Sequence, residues 1–376
     1  MIPMDVRIDD LSLTFGEFTA VRHLDLHIQD GESLVLLGQS GCGKTSTMRC
    51  VAGLEDPSGG TIGIGGTTVF DAGRKVNLAP NKRNVGLVFQ SYAVWPHMTV
   101  LDNVAFPLEM KKRPKAERRA KALETLELVG LAHLATRGAS MLSGGQMQRV
   151  ALARSLAMEP AVMLLDEPLS NLDARLREDL RVELRRLQVE LGLTCIYVTH
   201  DQGEALALAD RIAIMQGGRI SQLADPQDTY RAPASASIAA FLGVSNIFPV
   251  RPPAGRSDRL RLREHDLEIA FGTDLPGDTS DLSVCIRPEH VRLGPVGDRD
   301  SAPERPNTWL GTVEISVFQG SFARCSVRLD AGPVIEVQSH EEAAVLLRKD
   351  DRVVVEADPK YVRVLPGEVP TPGEES

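Results

Sequence analysis

Residues 38–45 read GQSGCGKT and satisfy the spacing G-x-x-x-x-G-K-[ST]. Gly38, Gly41 and Gly43 let the backbone wrap so that successive N–H groups converge on an anion. Lys44 adds a mobile positive charge, and Thr45 offers a hydroxyl to Mg²⁺. The chemistry implied is the cradling of nucleotide phosphates, which leaves kinases, GTPases and motors all open. A second group narrows it. In AVMLLDE (residues 161–167) an apolar run ends in paired carboxylates. Asp166 suits a Mg²⁺ site, held directly or through water. Glu167, one residue on, can point to the opposite side and orient an attacking water as general base.

These residues need elements to hold them. The apolar run Ser33–Leu37 enters the glycine-rich turn, and residues 45–52 read as a helix whose N-terminus adds its partial positive charge to the cradle. Residues 85–89, 161–165, 195–199 and 211–215 are further buried-strand candidates, so residues 1–235 alternate strand and helix as an α/β fold does. Pro114 suits a first helical turn, and the spacing predicts a helix to about Val129 with Ala116, Ala120, Leu123 and Leu126 along one face. That helix belongs to a helical insertion at about 91–160. Its run Lys111, Lys112, Arg113, Lys115, Arg118 and Arg119 reads as a solvated face. After Phe241 the pattern shifts to short alternating segments (312–317, 323–329, 352–357) separated by turn-rich stretches at 251–258 and 294–307. Residues 236–365 therefore read as an all-β second domain, a small barrel, and residues 366–376 as a disordered tail.

Length and composition agree. At 376 residues the chain exceeds what one core usually supports. A net charge of −9 argues against broad nucleic-acid binding but not against a nucleotide, which needs only a local positive site. The N-terminus lacks the basic and apolar regions of a secretory signal, and no stretch approaches 18 apolar residues. Any membrane role must then come through partner subunits. Cys42, Cys50, Cys195, Cys285 and Cys325 are scattered without a CxxC pair, as structural thiols of a reduced cytosolic chain would be.

With LSGGQMQRVALARSL (residues 142–156) the sequence resembles the ABC-transporter ATPases, whose signature this is. Other elements of that family follow its order: Phe15 in LTFG matches the adenine-stacking aromatic, Gln90 in VFQSYAVWPHMTV the Q-loop, SNLD (170–173) the D-loop, and His200 in VTHDQGEAL the switch histidine. The resemblance covers the first 230 residues. It implies that Phe15, Gly38, Gln39, Ser40, Gly41, Cys42, Gly43, Lys44, Thr45 and Ser46 bind ATP from one subunit. Ser143, Gly144, Gly145 and Gln146 would complete the site from a second identical subunit, and Asp173 of the D-loop would also take part in nucleotide binding. It further implies that Thr45, Gln90 and Asp166 hold Mg²⁺, that Gln90 links the γ-phosphate to the helical insertion, and that His200 steadies Glu167 and the water. The signature precedes a helix expected at 148–158, so its N–H groups would form a second anion site. Cys42 within the loop is common in this family and is given no redox role.

FLGVSNIF (241–248), IRPEHVRL (286–293) and the strand-rich end resemble the OB-like regulatory domain of bacterial importer ATPases. Exporters fuse the ATPase to membrane helices, and soluble ABC proteins usually carry two cassettes. The resemblance therefore implies a homodimeric importer ATPase lying peripherally on the cytoplasmic face of the inner membrane. Its partners would be two integral membrane permeases and, indirectly, an extracytoplasmic solute-binding protein, with no nucleic acid. FLGVSN and VFQG…ARCSVRL lean toward polyamine, ferric-iron or small-ion import over sugar import. A soluble ABC ATPase acting on nucleic acid or ribosomes is the alternative outside transport.

Overall fold

The computed structural model describes residues 4–252, 258–277, 281–296, 305–340 and 346–367. Most of the two turn-rich stretches and the expected disordered tail lie outside the described residues, Pro366 and Gly367 excepted. The chain divides into two units, Met1–Tyr230 and Arg231–Ser376.

The first unit begins with a β-hairpin absent from the strand candidates above. Strands β1 (Val6–Phe15) and β2 (Phe18–Ile28) pair antiparallel, burying Val6, Ile8, Leu11 and Leu13 on one face while Arg7 and Asp9 meet solvent. Bulges at three points along β1 break the strict alternation that would mark it in sequence. Strand β3 (Ser33–Leu37) is different: every residue is buried, because both its faces are covered. It leads into helix α1 (Lys44–Ala52). Strands β4 (Gly59–Ile64), β5 (Thr67–Asp71) and β6 (Val76–Asn77) then complete the antiparallel sheet in the order β2-β1-β4-β5-β6. Leu34 and Leu36 of β3, Met48 and Val51 of α1, and the inner face of that sheet share one core.

After β7 (Val85–Val88) the chain forms helices α2 (Val100–Met110), α3 (Lys115–Leu128) and α4 (Gly144–Leu156), which pack on one another. Strand β8 (Val162–Asp166), helix α5 (Ala174–Leu191), strand β9 (Thr194–Thr199), helix α6 (Gln202–Leu208) and the hairpin β10 (Arg211–Gln216) and β11 (Arg219–Ala224) follow. The central sheet runs β11-β10-β3-β9-β8-β7, parallel except for the edge strand β11.

Three local expectations need correction. On α3 the buried residues are Ala122, Thr125 and Leu126, whereas Ala116 and Ala120 are exposed and Leu123 is 38% exposed. Thr125 donates its hydroxyl to the Lys121 carbonyl (2.8 Å), so a residue that counts as polar in a pattern presents a satisfied, mostly apolar surface to the interior. The inward stripe therefore runs through Ala122, Thr125 and Leu126, of which only Leu126 was expected. Pro114 is the N-cap of α3 and lies outside the helix proper. The signature helix, expected from 148, starts four residues earlier at Gly144. The basic run does face solvent, where Arg113 pairs with Glu117 (2.7 Å) and Arg118 with Glu109 (2.8 Å).

The first unit ends in helix α7 (Pro226–Arg231), and the second carries a short helix α8 (Ala236–Phe241), then strands throughout. These are β12 (Asn246–Val250), β13 (Arg259–Arg261), β14 (Glu268–Ala270), β15 (Leu282–Ile286), β16 (Val291–Pro295), β17 (Thr308–Phe318), β18 (Ala323–Leu329), β19 (Val334–Ser339), β20 (Arg352–Ala357) and β21 (Arg363–Pro366). They form antiparallel sheets in the orders β12-β15-β21, β13-β14 and β16-β20-β17-β18-β19 around one apolar core. Two asparagines splice these sheets. The Asn246 amide donates to the Glu336 carbonyl (2.8 Å) and accepts from its N–H (2.7 Å), joining β12 to β19. Asn307 does the same with Ala270 (both 2.7 Å), joining β14 to the entry of β17. Each side chain stands in for a strand neighbour where no strand fits.

Candidate active site

The chemistry-bearing loops all leave the carboxyl ends of adjacent parallel strands. Residues 38–43 follow β3, His200 follows β9, Glu167 follows β8, and Gln90 lies two residues past β7. Because the strands run the same way, their ends share one edge of the sheet, where open α/β sheets place their ligands.

The glycine loop adopts the geometry its composition predicts. Gly43 has φ 103°, and a Cβ there would fall 2.4 Å from the Ala20 carbonyl oxygen, so the position admits only glycine. The buried Lys44 curls over the loop, its ammonium donating to the carbonyls of Gly38 (2.8 Å) and Gln39 (2.7 Å), with the Cys42 sulfur at 3.6 Å. Cys42 is itself buried, as are the other cysteines, and burial pushes the thiols of Cys50, Cys195 and Cys285 up to about 12. Gln39, Ser40 and Gly41 lie exposed on the outer rim of the loop, and Ser46 is half-buried in the first turn of α1.

Thr45 donates its hydroxyl to Asp166 Oδ1 at 3.1 Å, joining the start of α1 to the end of β8. Burial holds the Asp166 carboxyl above the ordinary aspartate range, with the Glu167 charge adding to the rise; Thr45, Arg49 and Lys44 oppose it. No group of three or more His, Cys, Asp or Glu suited to a metal occurs among the described residues. A Mg²⁺ ion carried by substrate phosphates needs only one or two protein oxygens. The hydroxyl and carboxylate of Thr45 and Asp166, both hard donors, fit that requirement.

Glu167 sits just beyond the strand with φ 43°, a left-handed backbone uncommon for a side chain of its size. Its direction therefore comes from this turn and not from strand alternation, as the sequence suggested. The turn is held by the Glu167 N–H donating to Val198 (3.0 Å) and by Ser170, whose N–H (3.2 Å) and hydroxyl (2.9 Å) both donate to the Glu167 carbonyl. So oriented, Glu167 meets His200 Nδ1 at 3.1 Å through Oε1 and the Gln90 amide at 3.5 Å through Oε2. Gln90 is held in turn by Asn171, whose amide donates to its carbonyl at 2.8 Å.

The signature closes on itself. Ser143 caps α4 by accepting from the Gln146 N–H (3.4 Å), while the Gln146 side chain accepts from the Ser143 N–H (3.0 Å). This is a capping box. A Cβ at Gly145 would lie 2.6 Å from the side chain of Leu176 of α5, which would have to shift, and one at Gly144 would lie 3.4 Å from Leu172. Asp173 caps α5 by accepting from Leu176 N–H at 3.0 Å. Phe15 stands half exposed at a hairpin tip beside the exposed Phe18. The structure thus brings Thr45 to Asp166, and Gln90 and His200 to Glu167. Within one chain, Phe15, Asp173 and residues 143–146 make no hydrogen bond to residues 38–46 among the described residues.

Some positioning residues escaped the sequence. Arg154 of α4 donates to the carbonyls of Tyr92 (3.0 Å) and Ala93 (2.6 Å), two consecutive left-handed residues just after Gln90, and lies 4.6 Å over Trp95. Arg83 is fully buried and donates to the last carbonyls of α1, Cys50 (2.7 Å) and Val51 (3.1 Å). A charged residue inside an apolar helical run, as in VALARSL, was the available signal, because a buried guanidinium must find acceptors.

Comparison with known proteins agrees with this geometry. The ABC transporter family profile matches residues 21–170, and the TOBE domain profile matches residues 284–365. The chain is 43% identical over 359 residues to the spermidine/putrescine import ATP-binding protein PotA of Thermobifida fusca, covering 93% of this chain and 89% of that protein. It is 43% identical over 350 residues to the Fe(3+) ions import ATP-binding protein FbpC of Brucella melitensis, covering 93% and 94%. Among solved structures it is similar to the dimeric ATP-binding cassette MJ0796 bound to ADP and Pi (TM-score 0.51, 32% identity, 59% of this chain and 98% of that one). It is also similar to cbiO1 of Clostridium perfringens, part of the ABC transporter complex cbiONQ (TM-score 0.56, 28% identity, 61% and 92%). With its motifs gathered at one sheet edge and its relatives matched along nearly their whole length, this chain belongs to the ABC transporter family, as an importer-type ATP-binding subunit and an ATPase coupled to transport.

Proposed function

We propose that the chain acts as one half of a homodimeric motor on the cytoplasmic face of the cell membrane, driving two integral membrane permeases fed by an extracytoplasmic binding protein. The observation that carries the reading is the convergence of Gln90 and His200 on Glu167, beside the Thr45–Asp166 pair. In this reading Glu167 takes the proton of the attacking water as general base. His200 donates to the γ-phosphate and steadies Glu167. Lys44 and the N–H groups of residues 38–46 bind the phosphates, and Phe15 stacks on adenine. Thr45, Asp166 and Gln90 would hold Mg²⁺, which when bound neutralises charge on the phosphates. Residues 143–146 and Asp173 would serve the partner's ATP. The self-contained capping box and the dimeric solved relative support that exchange.

No helix among the described residues is long and apolar enough to cross a membrane, which suits a peripheral subunit docked on its permeases. The relatives named for polyamine and Fe(3+) import support a cargo of that cationic group, and the net charge of −9 supports a role without nucleic acid. Glu167→Gln should retain ATP binding, trap an ATP-dependent dimer on size-exclusion chromatography, and lower turnover by about 10²–10⁴-fold. Near-normal hydrolysis would remove Glu167 from the base role. The cargo is tested by purifying the native complex. Recovery of two permeases and a polyamine- or iron-binding protein is expected; a sugar-binding protein would move the cargo, and ribosomes or DNA in place of permeases would overturn transport.

A further inference from the structure

His200 has little around it to hold it. Its side chain is 61% exposed, and its placement 3.1 Å from Glu167 must come from the backbone on either side. That backbone is tied into a closed ring of hydrogen bonds centred on a later residue of the VTHDQGEAL stretch, one to which the sequence alone gives no role. Glu204 in α6 is 3% exposed, and its Oε2 accepts from the Tyr197 hydroxyl (2.9 Å) and the Thr199 hydroxyl (2.8 Å). Thr199 Oγ1 accepts in turn from the Asp201 N–H (3.0 Å), and Asp201 Oδ1 accepts from the Glu204 N–H (2.9 Å). Tyr197 and Thr199 stand on the same face of β9, so one buried carboxylate pins both the strand end and the helix start that flank His200. Arg177 approaches Asp201 at 3.7 Å and donates to Leu172 at 3.0 Å, bracing the ring against the segment before α5.

We infer that Glu204 is a positioning residue for ATP hydrolysis, fixing His200 against Glu167 through the hydroxyls of Tyr197 and Thr199. A carboxylate suits the task because a single oxygen can accept from both hydroxyls, whereas an apolar side chain would leave them unpaired in the interior. The inference rests on the role proposed above for His200. It requires that Glu204 act on the chemical step and only through that histidine.

A double-mutant cycle on the full-length protein separates these possibilities. Glu204→Leu should lower kcat about tenfold with KM for ATP unchanged, because ATP binding stays with residues 38–46 while the γ-phosphate contact drifts. In the His200→Ala background the same substitution should change kcat by less than about twofold, since nothing is left to position. Glu204→Gln keeps an acceptor oxygen and should restore more than half of the turnover. If Glu204→Leu does not fold, Thr199→Val carries the same cycle with a loss of about threefold. Wild-type kcat in Glu204→Leu, an equal loss in both backgrounds, or a loss confined to KM would each overturn the inference. Wild-type turnover in His200→Ala would instead remove the histidine's role, and the inference with it.

Discussion

Polar side chains do opposite work in the two units. In the first, Gln90, Glu167 and His200 meet one another at the edge of the parallel sheet through single, partly exposed contacts, leaving donors and acceptors to spare. In the second, Asn246 and Asn307 are buried, and each uses its amide as both donor and acceptor in place of a strand neighbour. A parallel sheet gathers its loops at one edge and so builds a place for chemistry, while an antiparallel unit returns each strand beside the last and spends its buried polar groups on closure. Substitutions in the first unit should therefore read out in ATP turnover, and those in the second in stability.

The sharpest way to break this contrast after the Glu167 exchange is Lys44→Ala. It removes the charge meant for the phosphates and should weaken ATP binding roughly 10–100-fold by titration calorimetry, with little change in melting. Unchanged affinity would strip the loop of its assignment. Asn307→Ala should do the reverse. It leaves the Ala270 N–H and carbonyl without partners and should cost the second unit about 3 kcal/mol, without altering kcat. The unfolding can be followed by Trp309 fluorescence in a Trp95→Phe background, since the chain has only these two tryptophans. A loss of turnover in that variant would show that closure of the second unit also serves the site. The smallest effect should come from Asp330→Asn, which cuts the exposed bidentate pair with Arg352 (2.7 and 2.8 Å) and should cost no more than about 1 kcal/mol. The Arg352 hydrogen bonds hold the Asp330 carboxyl below its ordinary range, with slight burial opposing them. Its contribution is thus present above the unfolded-state pKa and lost as pH falls through the depressed folded value. Wild type and Asp330→Asn should converge in acid denaturation, and a gap that persists there would point to packing.

Elements with a strong local signature were legible in sequence. Ser33–Leu37 is an unbroken apolar run because both faces of β3 are covered, and its glycine-rich exit is a motif whose spacing carries its own geometry. The hairpin of β1 and β2 was not legible, because bulges spoil its alternation. Nor was the true face of α3, where Thr125 hides its hydroxyl in the helix backbone. Among candidate functional residues, motif position pointed to Gln90, Glu167 and His200, whereas the bracing by Arg154, Arg83 and Glu204 could not be read, although Arg154 and Glu204 lie inside the motif stretches. Their meaning lies in acceptors and donors up to 62 residues away in the chain.

Residue type and local spacing were enough to determine a phosphate loop, a carboxylate pair at a strand end and an all-β tail. The bar to any side chain at Gly43 belongs instead to the tertiary structure, because the carbonyl that a Cβ would meet is that of Ala20 on β2. Only the tertiary structure decided how these parts face one another. The left-handed turn at Glu167 aims its carboxylate, strand order puts His200 and Gln90 beside it, and the buried ring around Glu204 holds the histidine's backbone. The first two depend on hydrogen bonds between strands remote in sequence, which exist only once the sheet has assembled, whereas the ring spans only residues 197–204 and joins the end of β9 to the start of α6.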